Sequence, residues 1–278
     1  MERRKALKVA VGAVAAGGIG TFALATAFKP DIPDAKKAQK LAKGNELSDW
    51  KYVSLDPSET AKLAYENYPQ GSCMYGVFSS VILQLAEKVG EPYASFPVRM
   101  MKYGHGGIGG YGTTCGSLNG AAALIGLLVE EKEIQNILIA DLFHWYENTP
   151  FPAYSPAEPG MDYTPPTSAS GSVLCHASTT KWGEISGLRI DSKERKERCR
   201  RLTADVAART TTLLNQYFSN AYVAHTRDNE TARTCMTCHG SQGKVGNTSG
   251  HMTCTSCHEK SLGHRVFGDI HYRLMDDL

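Results

Sequence analysis

Two short stretches near the C-terminus carry the most specific chemistry in the sequence: Cys235-Met236-Thr237-Cys238-His239 and Cys254-Thr255-Ser256-Cys257-His258. Both read C-x-x-C-H. Two thiols at this spacing can add to the two vinyl groups of a porphyrin, and the adjoining imidazole then meets the iron from the proximal side. The pattern calls for two covalent c-type haems. Cys235, Cys238, Cys254 and Cys257 are the attachment points, and His239 and His258 are the proximal ligands. A structural zinc site also takes two C-x-x-C pairs at about this separation. A zinc ribbon, however, has no need of a histidine after each second cysteine. The surrounding segment is polar and Gly-rich, so the porphyrins themselves would form its core.

Closing both irons needs two further strong ligands. His251, three residues before Cys254, is the first choice; from that place it reaches a neighbouring haem, in the same chain or a partner copy, more readily than its own. His264, just past Gly263, lies on a loop long enough to fold back, and His225 is the reserve. Closed irons suit outer-sphere electron transfer, whereas an open one would suit a small-molecule reductase.

Four cysteines are left: Cys73, Cys115, Cys175 and Cys199. Three fall at predicted helix starts, and Cys199 sits beside Arg198, Arg200 and Arg201. Helix N-termini and neighbouring cations lower thiol pKa values, so all four are expected as thiolates. Dispersed thiolates can converge on one iron–sulfur cluster. Two disulfides would equally suit an exported protein. Gly109-Gly110-Tyr111-Gly112 ahead of Cys115 tips the balance towards a cluster, because close backbone approach uses glycine and its N–H groups.

These residues must be positioned by helices, since no β alternation appears. Asp56-Pro57-Ser58-Glu59 reads as a helix start, with Asp as N-cap and Pro at the first position, running to about Asn67. A second helix begins near Cys73 and carries Val77, Val81, Ile82, Leu85 and Val89 on one face. Residues 104–120 hold eight glycines and deliver Cys115 to an apolar helix over 121–129. A further helix spaces Ile134, Ile137, Leu138, Leu142 and Trp145 on one side. Residues 149–166 hold six of the twelve prolines and read as an extended loop. Cys175 opens a short segment. A long helix is predicted from Ser192 to His225, with Leu202, Val206, Leu213, Tyr217 and Ala221 as its buried stripe. The Lys193–Arg198 charge run reads as a solvated helix face, or else as a counter-charge in which Arg198, Arg200 and Arg201 offset a cluster beside Cys199.

The N-terminus reads as an export signal. Arg3, Arg4, Lys5 and Lys8 precede the uncharged stretch 9–27, and Ala25-Thr26-Ala27 offers a small-residue cleavage site. Arg3-Arg4 is similar to a twin-arginine signal. Retained, the same stretch would serve as a membrane anchor. The expected organisation is a signal at 1–27, a tether at 28–48, a helical four-cysteine domain at 49–225 and a loop-rich dihaem domain at 226–278. The 278-residue chain is 42% hydrophobic and 21% charged, which excludes wholesale disorder. Beyond residue 27 it holds 26 basic and 27 acidic residues, without the positive footprint of a nucleic-acid binder.

The pattern Cys73…Thr114-Cys115-Gly116-Ser117-Leu118-Asn119-Gly120…Cys175…Cys199 resembles the redox-protein family written C…GCAxxG…C…C. It departs from that core at Thr114 and Gly116. With the two C-x-x-C-H sites added, residues 50–278 are similar to the split-Soret cytochrome c family. The resemblance implies a mainly α homodimer with two closely stacked, bis-His haems and a cysteine-bound [2Fe–2S] cluster per subunit. It makes Cys73, Cys115, Cys175 and Cys199 the cluster ligands. The function expected is that of a periplasmic electron carrier, not an enzyme, serving redox partner proteins.

Overall fold

Asp56 starts the first helix as its chemistry dictates. Its carboxylate accepts from the Ser58 N–H at 2.8 Å, Pro57 occupies the first helical position, and Glu59 lies in the first turn. The structure, a computed structural model, describes residues 50–224 and 230–254. Helix α1 spans Pro57–Val89, where two helices were expected. The division survives as a break at Ser72, whose φ of 67° and ψ of −159° are non-helical, three residues after Pro69. Cys73 therefore begins the second half of α1.

A 3-10 turn at Val98–Tyr103 leads into the glycine loop. Helices α2 (Gly116–Leu128), α3 (Lys132–Asn148), α4 (Cys175–Ser186) and α5 (Lys193–Phe218) follow, then α6 (Glu230–His239). The largest helix–helix interface joins α1 to α5, and α2 packs against both. Val77, Val81, Ile82 and Leu85 of α1 meet Leu202, Val206 and Leu213 of α5 in one buried core. Each such side chain contributes roughly 1.5–3 kcal/mol of transfer free energy. Gly76 permits the close approach: a Cβ there would lie 2.8 Å from Thr203 Cγ2.

Among the described residues there are only two isolated β-bridges, Thr114 with Leu174 and Phe151 with Ser168, so the fold is mainly α as expected. Three boundaries differ. Helix α2 starts directly after Cys115 rather than at 121, because Gly116 and Gly120 let its first turn lie against Cys73 and Met74 of α1. Helix α5 ends at Phe218, where Ser219 and the left-handed Asn220 (φ 57°) turn the chain, rather than near His225. The first C-x-x-C-H motif lies on α6, where a loop was expected.

Among the described residues no helix is long and apolar enough to cross a membrane. The expected signal (1–27) and tether (28–48), the boundary at 226, and His225, Cys257, His258 and His264 lie outside the described residues.

Candidate redox site

The four non-motif cysteines come from four elements and meet in one place. Cys73 follows the Ser72 break, Cys115 precedes α2, Cys175 opens α4, and Cys199 lies in the second turn of α5. Two loops bring Cys115 and Cys175 side by side. Cys115 N–H donates to Val173 O and Cys175 N–H to Thr113 O, both at 2.8 Å, across the antiparallel Thr114–Leu174 bridge. Gly116 brings in the third: a Cβ there would drive into the Gly104 carbonyl and lie 3.0 Å from Cys73 Cβ. Cys73, Cys115 and Cys199 are buried, Cys175 is half-buried, and all four are free thiols.

Burial, followed by the charges of Cys199, Cys115 and Cys175, holds the Cys73 thiol well above its ordinary pKa. Burial, followed by the charges of Cys115 and Cys199, pushes Cys175 up to about 12 against the pull of Arg195 and Arg198. The expectation of depressed thiol pKa values is therefore reversed at these two positions. Desolvation and like-charge repulsion outweigh the helix N-terminus and the arginines. Such a cage holds thiolates only against added positive charge, which a coordinated metal supplies.

Part of that compensation is built in. Arg195 Nη1 and Arg198 Nη1 lie 3.8 and 3.9 Å from Cys199 Sγ. Arg198 is only 1% exposed, and its Nε and Nη2 have no hydrogen-bond partner. An uncompensated buried guanidinium is costly, so this one is matched to negative charge at the cage. Of the three arginines expected beside Cys199, only Arg198 faces it. Arg200 donates to Tyr65 O at 2.8 Å and stacks over the Tyr65 ring at 3.7 Å, while Arg201 is paired with Glu197 at 2.8 Å. Arg195 lies one turn before Cys199 on the same face. Arg198 and Arg200 flank Cys199 about 100° to either side, Arg198 toward Cys115 and Tyr146 and Arg200 toward Tyr65.

Two residues missed at the sequence level also reach the cage. Tyr68 Oη is 4.0 Å from Cys73 Sγ, and the buried Tyr146, beside Cys115, donates to Ser178 Oγ at 3.1 Å. Among the described residues no group of three or more His, Cys, Asp or Glu is arranged around a single ion.

On α6, Cys235 and Cys238 are three residues apart and so share a helix face, with His239 closing the helix. Cys254 lies against Cys235, which is the neighbour that helps raise its thiol pKa. The first cysteines of the two C-x-x-C-H motifs are thus adjacent, and porphyrins attached there would be neighbours. His251 and Met252 line a cavity of about 790 Å3, walled by Ile137, Ala140 and Phe143 of α3 and bounded by Thr114 and Val173 beside the cage. Cofactor-sized ligands occupy cavities of roughly 300–1,000 Å3. This largely apolar cavity is of a size to take a porphyrin.

The family model described as a redox-active protein, C_GCAxxG_C_C, matches residues 76–213, which include Cys115, Cys175 and Cys199. The split-Soret cytochrome c of Desulfovibrio desulfuricans (strain ATCC 27774) is 38% identical over 216 residues, covering 75% of this chain and 77% of the relative. The solved structure of the split-Soret cytochrome c from that strain, described for its novel iron centre, is similar with a TM-score of 0.72 at 37% identity. That alignment covers 76% of this chain and 90% of the other. By sequence and by fold, the chain belongs to the split-Soret cytochrome c family.

Proposed function

We propose that this chain is an extracytoplasmic electron carrier holding two covalent haems c and one [2Fe–2S] cluster, and working as a homodimer. Family membership makes it a haem redox protein with an iron centre. The finer reading assigns Cys73, Cys115, Cys175 and Cys199 to the cluster. Cys235, Cys238, Cys254 and Cys257 attach the haems, with His239 and His258 as proximal ligands and His251 first among the distal candidates. The observation that carries this reading is the convergence of four free cysteines from four elements beside a buried arginine with unpartnered nitrogens.

A haem or a two-iron cluster, once bound, supplies a one-electron couple. The chain's own residues do the rest. The α1–α2–α5 core keeps water from Cys73, Cys115 and Cys199, and Arg195 and Arg198 offset negative charge there. The apolar wall of α3 offers a bed for a macrocycle. Burial, ligands and nearby charge are the means by which a protein sets a potential. The N-terminal basic–apolar stretch supports export, with the membrane reached only if that stretch is retained. Two porphyrins carry more apolar surface than the short C-terminal segment can cover, which supports a second copy.

The test is the content of the purified chain. Four irons, two haems by pyridine haemochrome and two acid-labile sulfides per chain are expected. Two irons without sulfide would overturn the cluster, and a single haem would overturn the dihaem reading. Sedimentation at micromolar concentration should give a dimer, and a monomer would remove the homodimer from the proposal.

A further inference from the structure

The loop after α6 folds back over the end of its own helix. Val245 and Gly246 N–H both donate to Cys238 O, at 3.0 and 3.4 Å, and Thr248 N–H donates to His239 O at 2.9 Å. Two glycines permit the wrap. A Cβ at Gly243 would collide with the Cys238 carbonyl, and Gly246 has a φ of 56°. The result is that Asn247 Oδ1 lies 3.0 Å from His239 Nδ1. The Thr248 hydroxyl donates to the same oxygen at 3.1 Å.

We infer that Asn247 is a positioning residue for the proximal histidine of the first haem and a determinant of that haem's potential. This rests on the reading of His239 as an iron ligand. An amide oxygen can only accept, so its partner Nδ1 must carry the proton. The lone pair is then on Nε2, the nitrogen that must face the metal. The nitrogen that binds a metal is set by the hydrogen bond the other one makes. Two backbone bonds to Cys238 O and one to His239 O hold the acceptor in place, so the tautomer and ring orientation are fixed by the fold. Donation from Nδ1 enriches the imidazole, which favours the ferric over the ferrous state. Thr248 competes for the same acceptor oxygen and moderates the effect.

Opposite substitutions separate this role from simple packing. In the haem-loaded full chain, Asn247→Leu removes the acceptor and Asn247→Asp replaces it with a charged, stronger one. Spectroelectrochemical titration should show one of the two haem waves moving in opposite directions in the two variants. At a fixed potential the reduced-to-oxidised ratio is expected to rise about tenfold in Asn247→Leu, which is about 59 mV for a one-electron couple, and to fall in Asn247→Asp. Thr248→Val, which frees the oxygen for His239 alone, should move the same wave slightly in the direction of Asn247→Asp. Shifts of one sign in both Asn247 variants, or no shift at all, would overturn the inference. Haem on the Cys235–Cys238 peptide of the wild-type chain is the separate check: its absence overturns the reading of His239 as an iron ligand, and the role of Asn247 with it.

Discussion

The Thr253 hydroxyl donates to the Glu147 carboxyl group at 2.9 Å, joining the residue before Cys254 to the last turn of α3 across 106 positions of sequence. Both residues are buried, and the other Glu147 oxygen has no hydrogen-bond partner. This bond fastens the segment that opens the second C-x-x-C-H motif to the helical body beside the cavity that His251 lines. A buried carboxyl group that loses its donor bears its full desolvation cost. Thr253→Val should therefore destabilise the holoprotein by about 1–3 kcal/mol in denaturant unfolding. The double variant Thr253→Val/Glu147→Leu should lose less than the sum of the two single changes, because no polar group is then stranded. Strict additivity in that cycle would mean the bond contributes nothing.

A pH dependence follows from Asp205. Burial pushes its carboxyl up to about 6, against the opposing effects of the Ala153 and Tyr154 N–H groups and Arg198. A carboxyl whose folded pKa is raised stabilises the fold when protonated. That contribution is complete below the unfolded value near 3.8 and is lost as pH rises through about 6. The window is worth at most roughly 3 kcal/mol. Unfolding free energies of wild type and Asp205→Asn, compared at pH 4 and pH 7, should show wild type losing ground to the variant as pH rises. A pH-independent difference between the two would refute the shift.

Local chemistry was readable from the residues alone, and long-range placement was not. The Asp56 cap, the apolar α2, and the α1 and α5 stripes are periodic or local signals, and the fold keeps them except Ala221, which lies exposed past the end of α5. Helix ends were misjudged where packing decides: Gly116–Gly120 reads as loop by propensity, yet it forms helix because small residues let α2 lie against Cys73 and Met74. The four cage cysteines were identifiable as thiols left over from the C-x-x-C-H motifs, but their convergence from four elements was not, because it depends on long-range packing. Arg195 was in reach of helical spacing, four residues before Cys199. Glu147 was not, since nothing in α3 announces a partner at Thr253. The pKa expectation failed because sequence shows charge neighbours but not desolvation.

Arg198 and Arg200 stand two positions apart in α5 and should behave differently. Arg198 lies 3.9 Å from Cys199 Sγ, while Arg200 is engaged on Tyr65. Unit charges about 4 Å apart at an effective dielectric of about 20 interact by about 4 kcal/mol. A third of that already gives about a tenfold change in a redox equilibrium, or about 59 mV for one electron. Arg198→Met should lower the potential of the cysteine-bound centre by at least that much in an EPR-monitored titration, and Arg200→Gln should leave it in place. Equal behaviour of the two variants would remove Arg198 from the electrostatics of the cage.

The choice between carrier and reductase turns on His251. It lines the cavity against α3 and precedes Cys254 by three residues. Cys254 in turn lies against Cys235 of the other motif. On the proposed reading, a histidine at this place would serve as a distal ligand given across to a neighbouring haem. An iron closed by two histidines has no site for carbon monoxide, and a reductase would need one. Carbon monoxide added to the reduced wild-type protein should leave both haem spectra unchanged. In His251→Ala one haem should bind it rapidly, while pyridine haemochrome still counts two haems per chain. Binding in the wild type would revive the reductase reading. Exclusion in both proteins would keep the carrier but move the distal ligand away from His251, to His264 or His225.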